Sequence, residues 1–282
     1  MDLEQAVTEK RVEETGPIIP GLDVGVSEEA LKEAEKFVEA EEGAASHFKG
    51  KARIFLVAAG VLMSLFHLYA AYGIVPAQIL RAIHVGLVLF LTFFLFPAAP
   101  RFRDRIMAFD VVLALLSVAT IVYMLVDFDD FIYRAVTPTR WDLFFGTALI
   151  LLILEALRRT SGWIMLGVVV SFLAYAMLGA YLPEPWSHRG YDLERLVGHM
   201  YMTLEGIFGT PIDVSATFII LFTIYGAVLQ FSNAGKFFID FSFTALGGSR
   251  AGAGRTVVLS SFLLGGPSGS GVATTVTLGA VA

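Results

Sequence analysis

The residues best suited to chemistry are hydroxyl side chains in a glycine-rich break near the end of the chain. The break, residues 265–271, separates two apolar stretches, 257–264 and 272–282. The first stretch would form roughly 12 Å of helix, which is less than half the hydrocarbon core of a bilayer. Two half-length stretches around such a break predict a re-entrant helical hairpin, a structure tolerated at membrane depth only where protein or a cavity surrounds it.

A broken helix leaves backbone carbonyl oxygens without partners, and this break adds the hydroxyls of Ser268, Ser270, Thr274 and Thr275. Na⁺ prefers oxygen ligands, and the carbonyl end of a half-helix can coordinate it while the N-terminus of the other half faces an anion. The break therefore predicts an ion site at the hairpin turn. The alternative is a close helix–helix contact made by the glycines alone.

A competing interpretation makes Ser268 a nucleophile. The run Gly266-Pro267-Ser268-Gly269 fits the G-x-S-G pattern of rhomboid-type intramembrane proteases. Such a serine needs a histidine base, which in those enzymes follows the serine. All the histidines of this chain precede Ser268: His47, His67, His84, His188 and His199. We therefore do not expect an enzyme, and the intramembrane serine protease stays the alternative.

The composition agrees with a membrane location for these residues. The 282 residues are 56% hydrophobic and 16% charged, with a mean hydropathy of +0.71. A soluble domain is closer to half apolar and about a quarter charged. The figures exclude a soluble enzyme, a disordered protein and a nucleic-acid binder, and the absence of cysteine excludes a disulfide scaffold. A multi-pass protein in a lipid bilayer remains.

The hydropathy pattern predicts an all-α polytopic fold with six spans. These are residues 54–73, 79–96, 106–126, 143–157, 163–182 and 214–231. Between the last two spans, residues 193–208 carry apolar side chains at helical spacing, which indicates an interfacial helix on the outer side. A second interfacial helix is predicted around residues 236–246, ahead of the hairpin.

The charges set the expected orientation. Residues 1–48 hold thirteen acidic and four basic residues, which predicts an acidic tail over residues 1–50, with no signal peptide. Outside the tail, and apart from Arg81 at a span edge, eleven Lys and Arg residues fall on one side of the predicted spans and four on the other. Because basic residues are retained inside the cell, the N-terminus is predicted to be cytoplasmic, in the inner membrane.

The ionisable residues in or beside the predicted spans are expected to stabilise the fold. We expect Arg81 to extend its side chain toward the interface, and Asp110 and Glu155 to be solvated near cytoplasmic helix ends. Asp213 is expected to cap the sixth span. His67 and His84 lie deeper, where hydrogen bonding within the helix bundle is expected.

Three motifs together resemble the fused permeases of TRAP transporters. They are Thr203-Leu204-Glu205-Gly206-Ile207-Phe208-Gly209-Thr210-Pro211, then Ala234-Gly235-Lys236-Phe237-Phe238-Ile239-Asp240, then Ser260-Ser261 with Ser268-Gly269-Ser270. The nearest branch is the one that works with TAXI-type binding proteins. The resemblance implies a four-span DctQ-like domain over residues 51–160 and the N-terminal part of a DctM-like transport domain over residues 161–282.

The resemblance also implies Na⁺-coupled uptake of small organic acids, such as dicarboxylates, delivered by an extracytoplasmic binding protein. It implies a Na⁺ site at Ser268, Gly269, Ser270 and Thr274, with Ser268 and Ser270 also near the substrate. In the family Asn or Asp usually follows Ala273, whereas here Thr274 does. The DctM part of the family normally continues through a second hairpin, so we expect a truncated chain whose other substrate ligands lie beyond Ala282. A non-transporting membrane scaffold is a further alternative.

Overall fold

The structure, a computed structural model, describes residue 46 and residues 48–102, 105–232, 234–246 and 252–265. These residues form helices and connecting turns and include no β-strand. Five helical stretches are long and apolar enough to cross a membrane: Lys51–Tyr72, Ala77–Leu95, Ala108–Val126, Arg140–Tyr181 and Thr210–Leu229. The predicted all-α, polytopic class is confirmed. Residues 1–45 of the predicted acidic tail lie outside the described residues.

Ten α-helices make up this part of the chain. They are α1 (Lys51–Tyr72), α2 (Ala77–Leu95), α3 (Ala108–Val126), α4 (Phe128–Tyr133), α5 (Arg140–Leu178), α6 (Leu193–Met202), α7 (Thr210–Val214), α8 (Ile220–Phe231), α9 (Ala234–Leu246) and α10 (Gly252–Gly265). A π-helical turn, Ser215–Ile219, joins α7 to α8. Polar residues start two of the helices: Thr139 caps α5 and Asp192 caps α6.

Residues Glu42–Leu221 form one compact unit with α2 at its centre. Most of the buried apolar side chains come from four helices, and they include Ala82, Val85 and Phe93 of α2, Ala114 and Met124 of α3, Leu149 and Leu152 of α5, and Val197 and Tyr201 of α6. The outward faces of α1 and α3 remain apolar, as expected of helices that contact lipid.

Helix α5 contains both the predicted fourth and fifth spans. It runs for 39 residues, but Gly162 has a non-helical backbone with φ 79° and ψ −172°, a conformation open mainly to glycine. The Tyr191 amide donates to the Ala176 carbonyl, while Val197, six residues further on, packs against Gly146. A straight helix would separate residues 146 and 176 by about 45 Å, beyond the reach of that connection. The two arms of α5 therefore form a V, bent at Gly162.

The predicted interfacial helix before the sixth span is shorter than expected. Helix α6 ends at Met202, and residues 203–209 form turns that bury Phe208. The side chains of Val197, Tyr201 and Met202 are buried, so the apolar face of α6 packs against protein. Its position on the outer side of a membrane stays a prediction.

The described residues from Phe222 onward fall in a second compact unit, in which α9 packs against α10. Helix α10 has 14 residues, about 21 Å, so the first leg of the predicted hairpin is longer than the eight-residue apolar stretch indicated. It begins at Gly252. Residues 266–282, which contain the rest of the break and the second leg, lie outside the described residues.

Candidate functional site

The residues predicted to bind Na⁺ cannot be placed. Ser268, Gly269, Ser270 and Thr274 all lie outside the described residues, which end at Gly265 in this region. The part of the chain that the structure describes holds no group of three or more His, Cys, Asp or Glu residues able to bind a metal. That part does hold three buried polar clusters, and the first is a junction between α2 and the start of α7, here called the α2–α7 junction.

One face of α2 supplies the first half of this junction. Gln78, Arg81 and His84 follow one another at three-residue spacing, which places their side chains on the same side of the helix. Gln78 Nε2 donates to the Met202 carbonyl at 3.4 Å. Because α2 is apolar elsewhere, this polar face fixes how the helix meets the segment that leads into α7.

Arg81 is the charged centre of the α2–α7 junction. Its Nε and Nη2 atoms both lie 2.9 Å from Oδ1 of Asp213, and its Nη1 donates to the Phe208 carbonyl at 2.9 Å. Only 14% of the Arg81 side chain is exposed. The expectation that Arg81 extends toward the interface is therefore wrong, because an acidic partner lies within reach on α7.

Asp213 does not cap the helix, contrary to the sequence expectation. Helix α7 begins at Thr210 with Gly209 at the N-cap, so Asp213 lies within the first turn. A carboxylate there is favoured by the helix dipole and is free to accept from Arg81. The pair joins residues 132 positions apart in the chain.

Two histidines and a serine extend the junction toward α1. His67 Nδ1 lies 2.7 Å from the Met63 carbonyl, His84 Nδ1 lies 2.9 Å from His67 Nε2, and His84 Nε2 lies 3.0 Å from Ser215 Oγ. A carbonyl can only accept, so His67 Nδ1 carries a hydrogen. With both rings neutral, His84 then donates to His67, and the Ser215 hydroxyl donates to His84. The expected hydrogen bonding of both histidines within the bundle is confirmed.

A comparison with known families bears on the second half of this junction. Residues 148–282 match the family model of the Tripartite ATP-independent periplasmic transporter, DctM component. No curated protein and no solved structure matches the chain. The segment similar to DctM contains Asp213 and Ser215, whereas Arg81, His67 and His84 precede it. The α2–α7 junction therefore joins the DctM-like segment to helices outside the match.

A second charged cluster makes the same kind of connection. Arg159, within the DctM-like segment, has a fully buried side chain whose Nη1 lies 2.7 Å from Asp110 Oδ1 and whose Nε lies 2.8 Å from Glu155 Oε1. Its Nη1 also donates to the carbonyls of Phe93 and Phe96. Asp110 is 4% exposed, so the expectation that interfacial water solvates it is wrong. The carboxylate is neutralised by Arg159.

Glu155 is partly buried and lies between two arginines. Arg158 contacts both of its carboxylate oxygens at 2.8 Å and donates to the Ala98 carbonyl at 3.0 Å. The glutamate is therefore paired, contrary to the expectation of simple interfacial solvation. The basic pair Arg158-Arg159 acts as a structural link to the segment after α2.

A third cluster lies at the start of α5, where Asp142 is fully buried. Asp142 accepts hydrogen bonds from Arg134, Tyr123 and the Thr139 hydroxyl at 2.7 to 2.8 Å. The hydrogen bond to Asp142 raises the pKa of the Arg134 guanidinium, so its positive charge is secured at any physiological pH. Nearby, burial raises the pKa of the Tyr201 phenol, whose hydroxyl donates to the Thr120 carbonyl.

These three clusters hold helices together. Their partners were missed from sequence because each pair lies far apart in the chain. One signal was available for the Arg81–Asp213 pair: the prediction put both residues near helix ends on the same side of the membrane, where opposite charges in adjacent spans can meet.

Proposed function

We propose that the chain is a permease component of a TRAP-type secondary transporter, in which residues 51–160 serve as the DctQ-like part and the DctM-like segment begins the transport domain. The observation that carries the proposal is the match of residues 148–282 to the DctM component. A multi-pass helical fold agrees with a permease. The buried link Arg81–Asp213 supports a fused arrangement, because it joins the two parts within one compact unit.

The transported solute, in this proposal, is a small organic acid such as a dicarboxylate. An extracytoplasmic binding protein of the TAXI type delivers it, and Na⁺ provides the driving force. The coupling ion binds at Ser268, Gly269, Ser270 and Thr274, and Ser268 and Ser270 also contact the substrate. Support for the ion site comes from the oxygen-rich, glycine-rich break that follows α10.

The proposed orientation places the N-terminus in the cytoplasm and the protein in the inner membrane. It rests on the excess of Lys and Arg on one side of the predicted spans. The side bearing Arg158 and Arg159 is then cytoplasmic, while α6 faces the binding protein.

The decisive experiment is solute uptake by the transporter that contains this chain, together with its binding protein, in a host lacking its own dicarboxylate carriers. Uptake of radiolabelled succinate is expected to require both the binding protein and a Na⁺ gradient. Equal uptake in sodium and choline buffers would contradict Na⁺ coupling. Absence of uptake for a panel of C4 to C6 organic acids would contradict the solute class.

A pair of serine variants tests the ion site. Ser270→Ala is expected to weaken the dependence of uptake on Na⁺ concentration. Ser261→Ala is the matched control, because the Ser261 hydroxyl donates to the Val257 carbonyl at 2.7 Å within α10. Equal Na⁺ dependence in both variants would remove Ser270 from the site. Labelling of Ser268 by a fluorophosphonate probe would instead favour the protease alternative.

A further inference from the structure

A long apolar groove runs along the packed helices α3 and α5. Its volume is about 720 Å³, which lies within the range of small-molecule sites, roughly 300–1,000 Å³. One wall comes from α3, the other from the first arm of α5, and Leu193 of α6 closes one end. The lining side chains are almost all apolar, and they include Phe109, Leu113, Leu116, Leu143, Phe144 and Leu151. Several of them are more than half exposed, so the groove opens toward the surroundings of the unit.

The groove is elongated. Its lining on α5 extends from Arg140 to Glu155, about 22 Å of helix. The long, apolar and open shape is compatible with an extended hydrocarbon chain lying along the helices.

The two ends of the groove differ in charge. Glu155 is neutralised by Arg158 and Arg159. Arg140, at the other end, has no acidic partner or hydrogen-bond acceptor among the described residues. Its neighbour Trp141 is 65% exposed, and tryptophan at a helix end marks the level of lipid headgroups. An unpaired guanidinium at that level is suited to bind the phosphate group of a lipid headgroup.

We propose that this groove binds one phospholipid, with an acyl chain lying between α3 and α5 and an anionic headgroup held by Arg140. The chemistry favours a lipid, because the walls are apolar and the only unpaired charge of the lining is the Arg140 guanidinium at one end. The proposal does not depend on the proposed transport function.

The test is native mass spectrometry of the purified, delipidated full chain titrated with phosphatidylglycerol or phosphatidylcholine. We expect one phosphatidylglycerol to be retained in preference to phosphatidylcholine. Arg140→Ala should weaken that retention roughly tenfold, the effect of losing one charge-assisted hydrogen bond. Arg189→Ala is the matched control, since Arg189 is exposed and lies outside the groove lining.

A second pair of variants fills the groove without altering charge. Ala148→Trp places a bulky side chain on the lining and should abolish retention, whereas Ala119→Trp, on an exposed face of α3, should leave it unchanged. If Arg140→Ala and Ala148→Trp both retain as much phosphatidylglycerol as the wild-type chain, the retained lipid is adventitious surface lipid, and the proposal is overturned. The wild-type chain could instead retain no lipid and self-associate, with the self-association lost in Ala148→Trp. That result would assign the groove to a second copy of the chain and would also overturn the proposal.

Discussion

The guanidinium of Arg81 and the carboxylate of Asp213 meet at 2.9 Å between α2 and α7, two helices separated in sequence by the whole of α3 to α6. The same guanidinium reaches the Phe208 carbonyl. One arginine therefore fixes both the start of α7 and the turn that precedes it.

Removing the charge of Asp213 is expected to destabilise this arrangement. Asp213→Asn leaves Arg81 partly buried without its counter-charge and should lower the free energy of unfolding by about 2 kcal/mol. Equilibrium unfolding in mixed micelles, followed by circular dichroism, provides the measurement. Asp129→Asn is the control, because Asp129 is exposed and forms no ion pair among the described residues. In a double-mutant cycle, Arg81→Gln and Asp213→Asn should be strongly non-additive; additive effects would contradict the interaction.

Replacing Arg159 is expected to lower the free energy of unfolding more than replacing the adjacent Arg158. Arg159→Ala leaves Asp110 buried without a counter-charge, a change that typically costs about 3–5 kcal/mol. Arg158 is 21% exposed and pairs with Glu155 within its own helix, so Arg158→Ala should cost about 1 kcal/mol or less. The two variants are compared by the same unfolding assay. Equal losses in the two would show that burial of Asp110 does not control stability here.

A side chain at Gly146 is expected to separate α5 from α6. A Cβ atom there would collide with Val197 and lie 2.9 Å from the Tyr201 ring, so Gly146→Ala should cost about 1–3 kcal/mol. Gly167→Ala is the matched control on the second arm of α5, where nothing lies within 4 Å of the new methyl group. It should be neutral or slightly stabilising, since alanine favours helix. A loss of stability at Gly167 alone would be inconsistent with this packing.

The proposed orientation is open to cysteine labelling, because the chain contains no cysteine of its own. Lys51→Cys and Arg189→Cys place single thiols on exposed positions at the two predicted sides of the membrane. A membrane-impermeant maleimide should label residue 189 in intact cells and residue 51 only after permeabilisation. The opposite pattern would invert the topology.

Hydropathy was sufficient to locate the long helices, because burial in lipid requires a continuous apolar run. The predicted second span, residues 79–96, agrees with α2 to within two residues at each end. The boundary between the predicted fourth and fifth spans was also located, since Arg158 and Arg159 interrupt the apolar sequence shortly before Gly162.

The polar contacts could not be predicted in the same way. When each span is considered alone, Arg81, Asp110 and Asp213 have no visible partners. The sequence therefore predicted contact with water for some of them and helix capping for the other. Their actual partners lie on other helices, and the choice of partner depends on how the helices pack. The ion site at Ser268 and Ser270 stays a prediction, because the described residues end at Gly265 in this region.

The bend at Gly162 lies in a single residue. Only that residue departs from helical geometry between Arg140 and Leu178, so no loop separates the two arms. The angle between the arms is therefore set by one pair of backbone dihedral angles, in a conformation that a residue with a side chain would adopt only with strain.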